Sequence, residues 1–260
     1  FWLGQIEYDD RKWESVEPFF ELYLQYSQKM YSLAPDDKDA LMELSYAYNS
    51  LGSLSMQRQQ FVEAKNGFQE SLTLKLTALE TDPRNTQLLS DVVNARSWLA
   101  SALTSLGEVT SAINIHEKIQ TELSNEKLEQ QPYLLERLSS SYQLSSTLIN
   151  YKNDTKLAVE KAKLSFLTIK KASDKDSENR IIKMQKNYSY LNLISLGYGD
   201  FNQDEKLKLE RLIEQIKINK TASKKDKELL AKYYLALAKH MDKIKNYKDS
   251  LDFSKKSKAI

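Results

Sequence analysis

Leu3-Gly4, Leu51-Gly52 and Leu99-Ala100 stand 48 residues apart. The same spacing relates Trp13, Phe61 and Val109, then Val16, Ala64 and Ala112, then Phe20, Phe68 and His116. Pro35 and Pro83 repeat it once more, and Trp2 and Trp98 lie two such periods apart. Self-similarity at a fixed period of about 20–50 residues is the mark of a solenoid, in which each unit buries its apolar face only against its neighbours. A chain written this way has few other folds open to it.

Within one period the apolar residues recur at helical spacing. Leu41, Leu44, Tyr48 and Leu51 form a first stripe, and Leu88, Val92, Leu99 and Leu103 repeat it. A second stripe follows at Phe61, Ala64, Phe68, Leu72, Leu76 and Leu79, closed by Thr81-Asp-Pro-Arg-Asn85. Gly107 marks the turn between two helices, and proline stops the second helix because its ring clashes with the preceding turn. Small residues at 52, 64, 100 and 112 fall where two helix backbones approach closely. The whole chain holds 6 Gly and 4 Pro in 260 residues, too little turn chemistry for a fold of many tight β-turns. Each helix should span roughly 20 residues, or about 30 Å.

Leu51-Gly52, Ala64-x3-Phe68 and Pro83 together resemble the tetratricopeptide repeat, whose Gly-to-Ala step of 12 residues recurs at 52–64 and 100–112. That family's period is about 34. The longer period here accommodates two additions of seven residues, close to two helical turns each, which lengthen both helices without rotating their apolar faces. The resemblance implies an all-α, right-handed superhelical solenoid of about six helix-turn-helix units, one domain over 1–260. The units match well over 1–130 and diverge over 131–260, where the spacing falls near 46. There the expected helix pairs are 132–154 with 155–173, 178–200 with 204–218, and 225–246 with 247–260. The first half also resembles the helical-repeat halves of multidomain bacterial signalling proteins. The sequence opens at Phe1 in what reads as the middle of a helix, so a piece of a longer protein is expected, cytoplasmic or else a periplasmic domain of a membrane-anchored regulator.

No residue set favours catalysis. Cysteine is absent, which removes thiolate nucleophiles and thiolate metal sites. His116 shares its column with Phe20 and Phe68 and is expected to pack inside its unit. His240 stands in a lysine-rich helix with no ligand at i±4. Gly197-Tyr-Gly-Asp200 lacks the strand-then-helix context of a phosphate loop and reads as a helix–helix turn. The expectation is a protein that is not an enzyme and needs no cofactor or metal. No run approaches the 18 apolar residues of a membrane span, so no membrane insertion is expected.

One surface feature points to binding. Opposite the apolar stripe, the first helices carry Tyr46, Asn49, Ser53 and Gln57, then Ser90, Asn94, Ser97, Ser101 and Thr104, then Ser140, Gln143, Thr147 and Asn150. Ser, Thr and Asn each cost a helix about 0.5 kcal/mol against Ala, so a merely wet face would be built more cheaply of Glu, Lys and Gln. In tetratricopeptide arrays the first helices line the concave surface, and the resemblance implies a groove for a peptide or partner segment there. Close helix packing is the competing account of the same small residues.

The charge is divided along the chain. Residues 1–130 hold 11 Lys/Arg against 20 Asp/Glu, and residues 131–260 hold 27 against 16. The basic half is rich in lysine but has only three arginines, Arg137, Arg180 and Arg211, and its lysines alternate with acids. Nucleic acid is therefore disfavoured as a partner. The opposed halves offer an alternative role to the groove: contact between copies, or an oligomerising, regulatory arm of a larger protein.

Overall fold

The structure, a computed structural model, describes residues 1–124, 128–219 and 221–260, and among them it holds twelve α-helices, two short 3-10 turns and no strand. The chain forms two compact units, Phe1–Glu122 and Leu123–Ile260. The first contains α1 (Trp2–Asp9), α2 (Trp13–Leu33), α3 (Lys38–Gln57), α4 (Phe61–Thr81), α5 (Thr86–Ser105) and nearly all of α6 (Val109–Leu123). The second contains α7 (Pro132–Tyr151), α8 (Thr155–Lys175), α9 (Arg180–Ser195), α10 (Gln203–Ile218), α11 (Lys224–Lys243) and α12 (Tyr247–Lys258). Among the described residues no helix is long and apolar enough to cross a membrane.

The period is visible in the helix ends: α3 and α5 begin at Lys38 and Thr86, and α2, α4 and α6 begin at Trp13, Phe61 and Val109. Two local devices set these ends. Ahead of α3, α5 and α9, a short polar side chain accepts the first free backbone N–H groups: Asp37 from Asp39 and Ala40, Asn85 from Gln87 and Leu88, Asn179 from Ile181 and Ile182. Such a cap contributes about 1 kcal/mol. The chain enters each of these caps through the same turn, in which the N–H groups of Asp37, Asn85 and Asn179 bond the carbonyls of Ala34, Asp82 and Asp176. Pro35 and Pro83 occupy two of these turns, and Ser177 serves in the third.

The second device lies between the helices of a pair. Arg11, Gln59, Gly107, Asn153, Gly197 and Lys245 all have positive φ, between 60° and 86°. A left-handed residue turns the chain back after the first helix, at a cost of about 1–2 kcal/mol for a residue with a Cβ. Only two of the six are glycine. The 178–200 segment accordingly breaks at Gly197, with α9 ending at Ser195 and a 3-10 turn at Gly199–Phe201, and the expected 225–246 helix stops at Lys243. The expected length of about 20 residues holds for α2–α5, α7, α8 and α11, whereas α1 is 8 residues long and α12 is 12.

The small-residue column does what its position demands. A Cβ added at Gly52 would lie 2.9 Å from the ring of Phe68 and 3.3 Å from the Ala64 carbonyl, and one added at Gly67 would lie 3.2 Å from the Gly52 backbone. In the second unit, where the motif fades, the column continues in different chemistry. Ser146 is fully buried and its hydroxyl donates to the Ala158 carbonyl at 2.7 Å, across the same 12-residue step. Ser139 and Ser165 donate to each other's carbonyls at 2.9 and 2.8 Å. A serine is small enough for close approach and joins the two helices besides.

The cores follow the helix pairs. Val16, Phe20 and Leu54 pack together in the first unit, and Leu41, Met42, Ala78 and Leu88 form a further cluster there. In the second unit one cluster runs from Val159 and Phe166 through Tyr190 and Leu193 to Ile213 and Leu230. His116 is buried, as its column implies.

Candidate binding clefts

On α3, Tyr46, Asn49 and Ser53 fall at i, i+3 and i+7, one stripe of a helix. They line a cleft of about 310 Å³ with Gln5 and Tyr8 of α1 and Trp98 of α5. The Tyr8 hydroxyl reaches the Ser53 carbonyl at 3.5 Å, and Trp98 stacks on the buried Phe68, ring centroids 5.7 Å apart. The Asn49 side-chain oxygen is buried and accepts no hydrogen bond. Gln57, one turn further on, is exposed outside this cleft.

The α5 residues behave differently. The hydroxyls of Ser97, Ser101 and Thr104 donate to the carbonyls of Val93, Ser97 and Ala100, four residues back in the same helix. Their protons are spent, and what they leave to a ligand is acceptor capacity. Asn94, Ser97 and Ser101 are half-buried, and Ser90 is turned inward, 8% exposed.

In the second unit Gln143 and Thr147 of α7 line a cleft of about 180 Å³ with Tyr188 and Asn192 of α9 and Lys232 and Lys239 of α11. A second cleft of about 400 Å³ shares Thr147, Asn192 and Lys239 and extends past Asn150 to Lys243. The walls are fixed by amides: Gln185 Nε2 donates to Gln143 Oε1 at 3.0 Å and Asn192 Nδ2 to Ser146 Oγ at 3.1 Å. Two of the lysines are engaged. Lys232 pairs with Glu228 at 2.7 Å and sits 3.9 Å over the Tyr188 ring, and Lys243 donates to the Leu196 carbonyl at 3.0 Å.

A further cleft, of about 720 Å³, involves none of the expected residues except Tyr46. It lies among α2, α3 and α5, with Tyr23, Tyr26 and Met30 from the first, Asp39, Met42 and Glu43 from the second, and Leu88 and Asp91 from the third. The Tyr23 hydroxyl donates to Glu43 Oε2 at 2.6 Å, and burial, then this carboxylate, raises its pKa. Burial, then Asp91 and Glu43, raises that of Tyr46 as well. Lys75 of α4 is 2% exposed, and its ammonium stands 5.2 Å from the centre of the Tyr46 ring. Loss of water lowers its pKa to about 8, against the opposing pull of Asp91. Two signals in the sequence mark this place: a lysine three residues after Leu72 on a buried helix face, and a Tyr23, Tyr26, Met30 stripe on α2.

Among the described residues no group of three or more His, Cys, Asp or Glu is placed to hold a metal ion. His240 packs beside Gly197, 3.5 Å from where a Cβ would stand, and its Nδ1 is buried without a hydrogen bond.

An all-α helical repeat is the class of protein this architecture defines. No family model matches the chain, and no curated protein does. Among solved structures it is similar to the crystal structure of BtubC (BKLC) from P. vanneervenii, with a TM-score of 0.63 at 14% identity, over 95% of this chain and 90% of that one. It is also similar to the crystal structure of the apo form of RapI, with a TM-score of 0.59 at 12% identity, over 99% and 94%. At such identities the likeness is one of fold.

Proposed function

We infer that the chain is a non-catalytic protein-interaction module of tetratricopeptide-like repeats that holds a peptide or partner segment on the faces of its first helices. The observation behind this reading is that both units make the same kind of cleft. In one, α1, α3 and α5 contribute Tyr8, Asn49 and Trp98; in the other, α7, α9 and α11 contribute Thr147, Asn192 and Lys239. Successive first helices present polar and aromatic groups at a common wall, joined by lysines in the second unit, which suits the alternating side chains and backbone amides of an extended segment. In this reading residues 1–260 form a single right-handed superhelical domain, with the helices matching poorly to the repeat over 131–260 belonging to it by continuity.

Selection from a random peptide-display library on the immobilised chain tests the reading. Enrichment of a sequence family, abolished by Asn49→Trp or Thr147→Trp, is the expected result. No enrichment over a bare surface, or enrichment indifferent to both changes, overturns it. The opposed charges of the two halves favour a second reading, an oligomerising arm of a larger bacterial signalling or transcriptional regulator. Light scattering at low and high salt separates the two, since a charge-driven dimer dissociates as salt screens it.

A further inference from the structure

The 720 Å³ cleft among α2, α3 and α5 differs from the others in combining aromatic walls with carboxylates. We propose that it takes a lysine or arginine side chain from an extended basic segment of a partner protein, lodged between the rings of Tyr23, Tyr26 and Tyr46 and the carboxylates of Asp39, Glu43 and Asp91. This rests on the peptide-binding reading above.

Charge complementarity selects the occupant. The cleft lies in the acidic part of the chain; Lys38 in its lining is exposed at the start of α3, and the buried Lys75, over the Tyr46 ring, offsets part of the charge of Asp91. Anionic segments meet three carboxylates there, and a purely apolar one would strip water from them without return. The rings add a second, independent preference. A cation over the face of an aromatic ring is attracted by its quadrupole, and the molecule already uses this contact, with the Lys75 ammonium over Tyr46. Tyr23 holds one oxygen of Glu43 at 2.6 Å and so fixes the direction of that carboxylate before any ligand arrives. The volume lies within the range of about 300–1,000 Å³ typical of small-ligand sites.

The geometry also distinguishes this cleft from those of the second unit. There lysines outnumber the single carboxylate, Asp242, among the lining residues, so a basic side chain is favoured in the first unit's cleft.

A capped, dye-labelled peptide of alternating arginine and serine, and the same peptide with citrulline for arginine, form the test, read by fluorescence anisotropy on the full chain. Citrulline keeps the shape and removes the charge, so the comparison needs no variant that might fail to fold. The arginine peptide should bind at least tenfold more tightly than its citrulline twin and weaken with salt. Glu43→Gln with Asp39→Asn should cost a further tenfold or more with an unchanged helical circular dichroism spectrum, while Lys248→Gln, on the exposed face of α12 and away from the clefts, should leave the affinity alone. Equal binding of the two peptides overturns the cation assignment and leaves peptide binding standing. Failure of every peptide in the display library overturns both. A salt-sensitive dimer of the chain that Glu43→Gln disperses, without peptide binding, replaces the partner segment by a second copy and overturns the proposal.

Discussion

His116 occupies the column in which the two preceding repeats place Phe20 and Phe68, and burial lowers its pKa from 6.5 to about 4. Between those values the unfolded chain binds a proton that the folded chain refuses. Its contribution is therefore fully present above pH 6.5 and is lost as the pH falls toward 4. Two and a half units correspond to about 3 kcal/mol when the transfer is complete, of which about 2.5 kcal/mol should already be gone at pH 4.5. His116→Phe removes this titration. The larger ring costs about 1–3 kcal/mol if the site is tight, and the polar interaction that His116 makes is lost with it. Both effects displace the stability curve at every pH above 6.5 without giving it a slope, so the slope isolates the titration. Urea unfolding followed by tryptophan fluorescence at pH 7.5, 5.5 and 4.5 supplies the comparison. The wild-type chain should lose about 2.5 kcal/mol more than His116→Phe between the outer two values. Parallel losses would refute the burial argument, and with it the assignment of position 116 to the column of Phe20 and Phe68. His116→Leu, smaller than either ring, serves where Phe does not fold.

The alkaline side has its own marker in Lys75, whose pKa of about 8 lies below the 10.5 of the free side chain. Stability should rise from pH 8 to pH 10.5 by about 3 kcal/mol through this group, and Lys75→Met should flatten that rise and stabilise the fold at pH 7, as measured by urea unfolding. Gly52→Leu forces a branched side chain into a space where even a Cβ meets the Phe68 ring at 2.9 Å. A loss of about 3 kcal/mol or more is expected, shared by neighbouring helix pairs in hydrogen exchange; an unchanged melting curve would contradict the register. Gln59→Gly relieves a left-handed residue with φ of 61° and should stabilise by about 0.5 kcal/mol after the glycine's entropy cost, a small rise in melting temperature.

Columns such as Val16, Ala64 and Ala112 were legible because a repeated interface demands the same residue size at the same place. The helix starts at 13, 61 and 109 follow from them to the residue. The return turns were not legible in the same way. Arg11, Gln59 and Lys245 carry no local preference for positive φ, and they adopt it because the helices on either side are packed and the chain must reverse there. Ser139 and Ser146, where the repeat motif fades, make close contacts joined by hydrogen bonds that no spacing announced.

For the site the division is similar. Tyr46, Asn49 and Ser53 could be placed on one face from helical spacing alone, since i, i+3 and i+7 are fixed by 3.6 residues per turn. Which hydroxyls are available could not, because Ser97, Ser101 and Thr104 turn back on their own helix only where a neighbour fails to engage them. The acidic aromatic cleft left only scattered marks in the sequence, the Tyr23, Tyr26, Met30 stripe and Lys75. Tyr23, Glu43 and Asp91 are separated by tens of residues on three helices, and only packing brings them to one wall. A period is a local rule repeated, so a chain can spell it; a cleft is a relation between distant side chains, which exists only once the helices have found their partners.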